Sequence, residues 1–425
     1  MNERSHDVVV VGGGVVGLCC AWRAAQGGAR VAVLDRSEPP AGATRVAAGM
    51  LAPIGELAFG EPELLKMTLA AAERYPRFVA ELEAASGVST GYARHGALHV
   101  ALDRDEAAEL RRVHDLQRSL DLGAEWLPPR RCRELEPGLT PSFNGGVHAP
   151  EEAAIDPRRM TVALLVALTD LGVEVRSGVE VSGALFDGER LQGVCIAAGE
   201  ELRADAVVLA AGAWSGAAEW LPEEARPPVR PVKGQIVELR APDGNAPCAR
   251  IVASERVYLV PRPDGRLIAG ATTEERGFDS TVTAGGVHEL LREAYRLLPD
   301  VAEMELVEAM ASLRPGTPDN LPLIGPGAID GLVLATGHYR NGILLAPLTA
   351  EAIATQLAGK PLPEAATPAH PARLSQRATN DNLAGGVGAS SGPVEPLNRA
   401  AELAARGAAL AEAAEAAERA AEEPR

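Results

Sequence analysis

The chain has 425 residues, 46% of them hydrophobic and 23% charged, which suggests two or three domains and excludes wholesale disorder. Lys and Arg total 41 against 58 Asp and Glu, and a net charge of −17 speaks against a nucleic-acid or anionic-membrane binder, which would carry basic stripes. Five cysteines without a CxxC pair make a poor disulfide framework, and the eight histidines are too scattered for zinc. Reduced thiols, no metal and a cytoplasmic location are expected. The longest apolar stretch, Val8 to Trp22, is short for a membrane span and interrupted by four glycines, and its mixed-charge flank is unlike a signal peptide.

The first fifty residues carry the strongest signal. Asp7 to Val11 reads as a buried parallel strand, and Gly12-Gly13-Gly14-Val15-Val16-Gly17 follows as G-x-G-x-x-G. Leu18 to Gln26 reads as a helix, Val31 to Leu34 as a second strand, and Asp35 ends it 23 residues after Gly12. In such a unit Gly12 permits the tight turn, Gly14 lets backbone approach a pyrophosphate, and Gly17 lets helix and strand touch. The helix N-terminus favours the anion, and Asp35 stands where an acid accepts ribose hydroxyls. The motif alone leaves NAD and FAD open. The run of small residues from Ala41 to Pro53 would let backbone approach a large flat ligand.

Further along, Glu61 to Ala85 is helical in pattern, His95 to Leu102 a strand, Asp105 to Leu122 a helix and Pro128 to Pro137 a turn-rich connection. Asp156 and Pro157 signal a helix start, with the helix running to Asp170. Strand-like segments at Val173–Val175, Val179–Val181 and Leu191–Ala197 have the spacing of a meander. Ala204 to Ser215 reads as a buried strand returning beside the first. Arg256–Pro261 and Arg266–Thr272 form a hairpin pattern around Pro263-Asp264-Gly265. Gly331 to Gly337 is a strand, and Ile343 to Leu357 a helix. The expected fold is α/β: a Rossmann-like dinucleotide-binding domain with a parallel sheet, from 1–85, 145–225 and 310–363. A substrate domain on a mostly antiparallel mixed sheet takes 86–144 and 226–309. Residues 364–425 read as linker and a disordered or helical Ala/Glu-rich tail, either solvated or a docking segment for a weak partner.

Five segments together resemble the FAD-dependent amine and amino-acid oxidases of the D-amino-acid-oxidase family, and within it the glycine-oxidising branch that serves thiamine biosynthesis. They are Gly12 to Asp35, Ala47 to Pro53, Pro231-Val232-Lys233-Gly234-Gln235, Leu313-Arg314-Pro315-Gly316-Thr317, and Gly337 to Pro347. The resemblance implies FAD lined by Val15, Val16, Asp35, Arg36, Ala43, Thr44, Ala48, Gly49 and Met50, with Val179 on the adenine side. His338, Tyr339, Arg340, Asn341, Gly342, Ile343 and Leu344 lie by the flavin ring in that picture. It also implies Arg314 as a bidentate anchor for the substrate carboxylate, Tyr258 as a second hydrogen bond to it, and Arg340 close to both substrate and cofactor. His338 then frames the flavin instead of acting as a base, and Lys233 is structural or a helper.

The implied reaction is oxidation of glycine, or of other small amines such as sarcosine, by hydride transfer to flavin N5, with no protein catalytic base. Imine or glyoxylate, ammonia and hydrogen peroxide result, and the imine feeds thiazole synthesis. A sarcosine or D-amino-acid oxidase or dehydrogenase of the same fold is the alternative. A homo-oligomer is also implied, with oxygen and a small amino acid as partners. Two departures stand out. Glu is the commoner ribose-binding acid, and here it is Asp35. Some relatives link flavin to a late cysteine, but none follows Cys248, so non-covalent FAD is expected.

Overall fold

Four consecutive valines, Val8 to Val11, can only be satisfied by burial on both faces, and the strand they form is central to the first sheet. In a computed structural model, which describes residues 6–374, β1 (His6–Val11) pairs in parallel with β2 (Val31–Asp35) on one side and with Glu201–Leu209 on the other. Beyond β2 lies Glu174–Ser177, also parallel. Leu332–Thr336 adds in parallel to the C-terminal end of Glu201–Leu209, and Leu323–Pro326 closes that edge antiparallel. Val181–Asp187 and Arg190–Ile196 form an antiparallel flap on the other end of Glu201–Leu209.

Helix α1 (Val15–Gln26) follows β1 and packs its small face against the helix Gly342–Leu357. Both share a core with Pro62–Ser86 and Pro157–Asp170, where Trp22 meets Phe78 edge-on with ring centroids 5.6 Å apart. The Tyr75 hydroxyl, fully buried, donates to the Ile343 carbonyl at 2.7 Å and so ties the long helix to the start of Gly342–Leu357.

The second sheet has the order Glu305–Gly316, Arg230–Arg240, Arg266–Gly270, Tyr258–Pro261, Ile251–Ala253, Ala97–Val100, Gly146–Ala149, Glu125–Leu127. Every pairing is antiparallel except Ile251–Ala253 with Ala97–Val100. The expected mixed α/β fold with a mostly antiparallel second sheet is what the chain adopts. A small third sheet joins Met50–Leu51, Ala153–Ala154 and Ala93–Arg94.

Several local expectations need correction. α1 starts at Val15, not Leu18, because Gly14 is already its N-cap. Pro128 to Pro137 is not merely turns: Pro129–Leu135 is helical, with Pro129 in the first turn where its missing N–H costs nothing. The strand expected at Val179 begins at Val181, while the Val179 N–H donates to the Asp35 carbonyl at 2.9 Å. The strand to Ser215 ends at Leu209, and a 3-10 turn spans Gly212–Ala217. The small-residue run contains a short helix, α2 (Gly42–Val46). At Asp156 the expectation holds: its carboxylate caps the helix by accepting from the N–H groups of Arg158 and Arg159.

Domain boundaries shift as well. Gly146–Ala149, placed after the boundary at 145 in the dinucleotide domain, pairs in the second sheet, and the boundary at 310 cuts the single strand Glu305–Gly316. The tail does not begin at 364. Glu364–Ala369 forms a 3-10 turn whose Ala366 and Ala369 are fully buried in the first core. Arg373 donates from Nε and Nη2 to the two oxygens of Asp319, each at 3.0 Å, and from Nη2 to the Leu321 carbonyl at 2.8 Å. The compact unit therefore runs to Arg373. The expected linker and Ala/Glu tail beyond it lie outside the described residues. Among the described residues no helix is long and apolar enough to cross a membrane. The cysteines are unpaired thiols, all buried except half-buried Cys195.

The Arg373 fork is a nearly enclosed charge pair, its side chains 14% and 9% exposed. Breaking such a pair leaves a carboxylate without its fork, so Arg373→Ala is expected to cost roughly 2–4 kcal/mol. Urea unfolding of the full chain measures it; a midpoint equal to wild type would show the segment to be ornamental.

Candidate active site

The site begins with a contact that has no room for a side chain. A β-carbon on Gly17 would lie 1.9 Å from the Gly12 carbonyl oxygen, and one on Gly12, at φ +116°, would lie 2.3 Å from the Ala210 carbonyl oxygen. Gly17 thus seats α1 on the end of β1, and it does not line the cavity, in keeping with a packing role. Gly14 is different. A β-carbon there would touch only Thr44 Oγ1, at 3.4 Å, so this backbone faces open space.

That space is one continuous cavity of about 760 Å³ reaching from the ends of β1 and β2 to the second sheet. Its wall carries Gly12, Gly14, Val15, Val16, Asp35, Arg36, Ala43, Thr44, Ala48, Gly49, Met50 and Val179, and on the far side the whole stretch His338 to Leu344. Tyr258, Arg314 and Arg340 line it too, with the Arg314 charge within reach of the Tyr258 hydroxyl. Every residue expected from sequence to bind cofactor or substrate, except Gly17, is on this wall.

Asp35 is already partly engaged. One oxygen accepts from the Gly13 N–H at 2.6 Å and the other from Ser37 N–H at 2.7 Å. These bonds aim the carboxylate, and each oxygen keeps a lone pair for a hydroxyl. The N-terminus of α1 is likewise partly used, since Val15 N–H donates to Thr44 Oγ1 at 3.0 Å. The Arg36 guanidinium lies 4.1 Å over the Trp214 ring and closes the wall there. An elongated dinucleotide fits this arrangement: an acid at one end, bare glycine backbone in the middle, and the N-termini of α1 and Gly342–Leu357 both on the wall.

The second sheet supplies the other end. Arg314 sits opposite Val232 across the paired strands, and its Nη1 donates to the Thr272 carbonyl at 3.0 Å and to the Lys233 carbonyl at 3.4 Å. Gly234 makes room for it: a β-carbon there would fall 2.3–2.4 Å from the guanidinium. Tyr258 pairs with Gly270 on the neighbouring strand. Burial pushes its hydroxyl up to about 12, against the opposing pull of the Arg314 charge, so it stays a protonated donor. Lys233, quoted from sequence beside this site, does not line the cavity. It is buried, with Nζ 3.5 Å from Glu274 and 3.7 Å from Asp279.

Other contacts escaped sequence reading. Arg262, buried on the second sheet, donates from Nη2 to the carbonyl of Ala48, and burial lowers its pKa to about 10. Trp214, Gly234 and the Ala210–Gly212 turn also line the cavity. So does Glu56, on the turn after Leu51, where burial raises its pKa against the pull of Arg340 and Arg314. Glu56 is the first acid after Glu38, closing the small-residue run, and that isolation was the only signal available.

Comparison with known proteins agrees with this geometry. A family model described as FAD dependent oxidoreductase matches residues 7–356. The bifunctional protein ThiO/ThiG of Trichormus variabilis is 38% identical over 82% of this chain and 52% of its own length. The chain thus spans about half the length of such relatives. A glycine oxidase of Pseudomonas aeruginosa is 35% identical over 85% of this chain and 96% of its own. The crystal structure of glycine oxidase from Geobacillus kaustophilus superposes with a TM-score of 0.80 at 32% identity, covering 87% of this chain and 99% of the other.

His338 supplies a pH test. Its Nε2 lies 2.9 Å from Thr349 Oγ1, and burial lowers its pKa from 6.5 to about 3. The unfolded chain takes up a proton near pH 6.5 that the folded chain refuses until about pH 3. Its contribution is whole above 6.5 and is lost as pH falls through that window. His338→Gln is expected to flatten the acid side of the stability profile, read as urea midpoints from about pH 7 to about pH 4. An unchanged slope would mean that the imidazole titrates normally.

Proposed function

The chain belongs to the FAD dependent oxidoreductase family, and from that premise we propose that it oxidises glycine with non-covalently held FAD, releasing imine or glyoxylate, ammonia and hydrogen peroxide. The observation that carries this reading is that Arg314, Tyr258 and Arg340 line the same cavity as Gly12, Gly14 and Asp35, with the Arg314 charge acting on Tyr258. When bound, FAD supplies acceptance of a hydride from the substrate carbon and return of two electrons to oxygen.

The protein's part is binding and orientation. Gly12 and Gly14 would admit a pyrophosphate, Asp35 would take ribose hydroxyls, and Val179 would border the adenine. The N-terminus of Gly342–Leu357 lines the cavity and would favour negative charge on a bound cofactor. At the substrate end Arg314 offers a planar fork to the carboxylate, a geometry that lysine lacks, and the Tyr258 hydroxyl adds a donor. No base is required of His338, whose ring is neutral and engaged with Thr349. The relatives that join two functions in one chain under the name ThiO/ThiG support delivery of the imine to a ThiG-like partner in thiamine biosynthesis.

Arg314→Ala leaves the cofactor wall intact and removes the fork. Loss of one partner from a desolvated charge pair costs about 2–5 kcal/mol, so the KM for glycine is expected to rise roughly 30- to 5000-fold with FAD retained. Oxygen uptake with glycine, together with flavin content, checks both halves. A retained FAD with a KM within about threefold of wild type would remove Arg314 as the anchor.

Gly234→Ala probes the same fork from behind. The guanidinium is the movable partner in the clash, so the fold stands and the aim is lost. The melting temperature is expected to stay within about 2 °C while acetate binding weakens roughly tenfold. Equal acetate affinity would show that the space behind Arg314 is not needed.

A further inference from the structure

The substrate end holds one acid that the reading above leaves idle. Glu56 lines the cavity, yet among the described residues no hydrogen bond or ion pair engages its carboxylate. A half-buried carboxylate that faces the cavity with no donor of its own is an acceptor open to a ligand that brings one.

Its position is built rather than incidental. The turn that carries it is fastened from the side away from the cavity by two buried polar groups. Glu152, 1% exposed, accepts from the N–H groups of Ile54, at 3.1 Å, and Gly55. Gln117, 2% exposed, donates from Nε2 to the Ile54 carbonyl at 3.0 Å. Behind Gly55 the space is filled, since a β-carbon there would lie 2.1 Å from His99 Nε2. The Glu56 backbone N–H is used as well, on the Ala52 carbonyl at 3.1 Å. Glu152 and Gln117 each bond the backbone of this turn, and of these side chains only that of Glu56 lines the cavity.

The charges around it are Arg340 and Arg314 on one account and Glu152 on the other, with His99 and Tyr258 also within electrostatic reach. Two guanidiniums face two acids: the carboxylate of an incoming amino acid and Glu56. An amino acid whose carboxylate occupies Arg314 turns its nitrogen toward the remaining wall, where Glu56 is the unsatisfied acceptor.

We propose, resting on the amino-acid-oxidase reading, that Glu56 receives the substrate's amine, accepting its N–H while Arg314 and Tyr258 hold the carboxylate. The pocket then recognises an amino acid at both of its polar ends and fixes the direction of the Cα–H bonds between them. A carboxylate without an amine gains nothing from Glu56 and is repelled by it once Glu56 ionises.

The test uses FAD-loaded enzyme with two probes that differ by the amine, glycine and acetate. Glu56→Gln is expected to lower kcat/KM for glycine roughly 10- to 100-fold, the range for one lost charged hydrogen bond. Acetate affinity should hold within about threefold or improve. Glu56→Asp should recover part of the glycine loss. A second readout needs no turnover: acetate binding to wild type weakens as pH rises through the Glu56 ionisation, and this step vanishes in Glu56→Gln. Equal losses for glycine and acetate would mean that Glu56 merely shapes the turn and would overturn the proposal, as would glycine kinetics within about threefold of wild type. Wild-type enzyme that carries FAD and ignores glycine would sink the substrate reading instead. The acetate step alone then decides for or against Glu56.

Discussion

The whole arrangement depends on one van der Waals contact, that of the Gly17 backbone against the Gly12 carbonyl. With no side chain between them, α1 starts directly off β1 and its first turn faces the cavity. Leu18 and Ala21 then lie fully buried, and the helix Gly342–Leu357 packs against α1 in the same core. That packing brings His338 to Leu344 to the wall of the cavity that Gly14 also lines. Two stretches more than three hundred residues apart in sequence face each other because one pair of glycines lets a helix sit low.

The site has two halves of different construction. The first sheet contributes backbone: glycines, helix ends and a capped acid, all suited to a ligand recognised by its phosphates and hydroxyls. The second sheet contributes side chains on paired strands, Arg314 beside Val232 and Tyr258 beside Gly270, whose register fixes their spacing. Strands hold such groups more firmly than loops do, and a carboxylate fork is sensitive to small displacements. The acidic surface implied by a net charge of −17 is no obstacle to an anionic ligand group, because Arg314 and Arg340 stand beside Glu56 at this end.

The first part of the fold was legible because its signals are local. β1, the glycines, α1, β2 and Asp35 follow one another without interruption, and each constrains the next. The family resemblance extended this to Arg314, Tyr258 and Arg340, which spacing alone would not have linked. What remained hidden is non-local. The strand Ile251–Ala253 lies parallel to Ala97–Val100, a pairing across some hundred and fifty residues that no pattern announces. Pro129–Leu135 was masked by its prolines, which mark turns as readily as helix starts. The segment after Glu364 looked like linker because alanine and proline say little about burial, and its anchor, Arg373 on Asp319, joins residues 54 apart. Glu56 had no motif at all; only the surrounding cavity makes it conspicuous.

The bond from Arg262 to the Ala48 carbonyl has a thermodynamic consequence. Arg262 opens the turn between two strands of the second sheet, and Ala48 lines the cavity. A ligand that binds only the folded form stabilises it in proportion to the logarithm of its concentration over its dissociation constant. Through this buried cation that stabilisation is not confined to the first sheet: ordering Ala48 also orders the strand region from which the substrate end is built. Occupancy of the Ala48 wall and the order of the turn that carries Arg262 become two readings of one equilibrium.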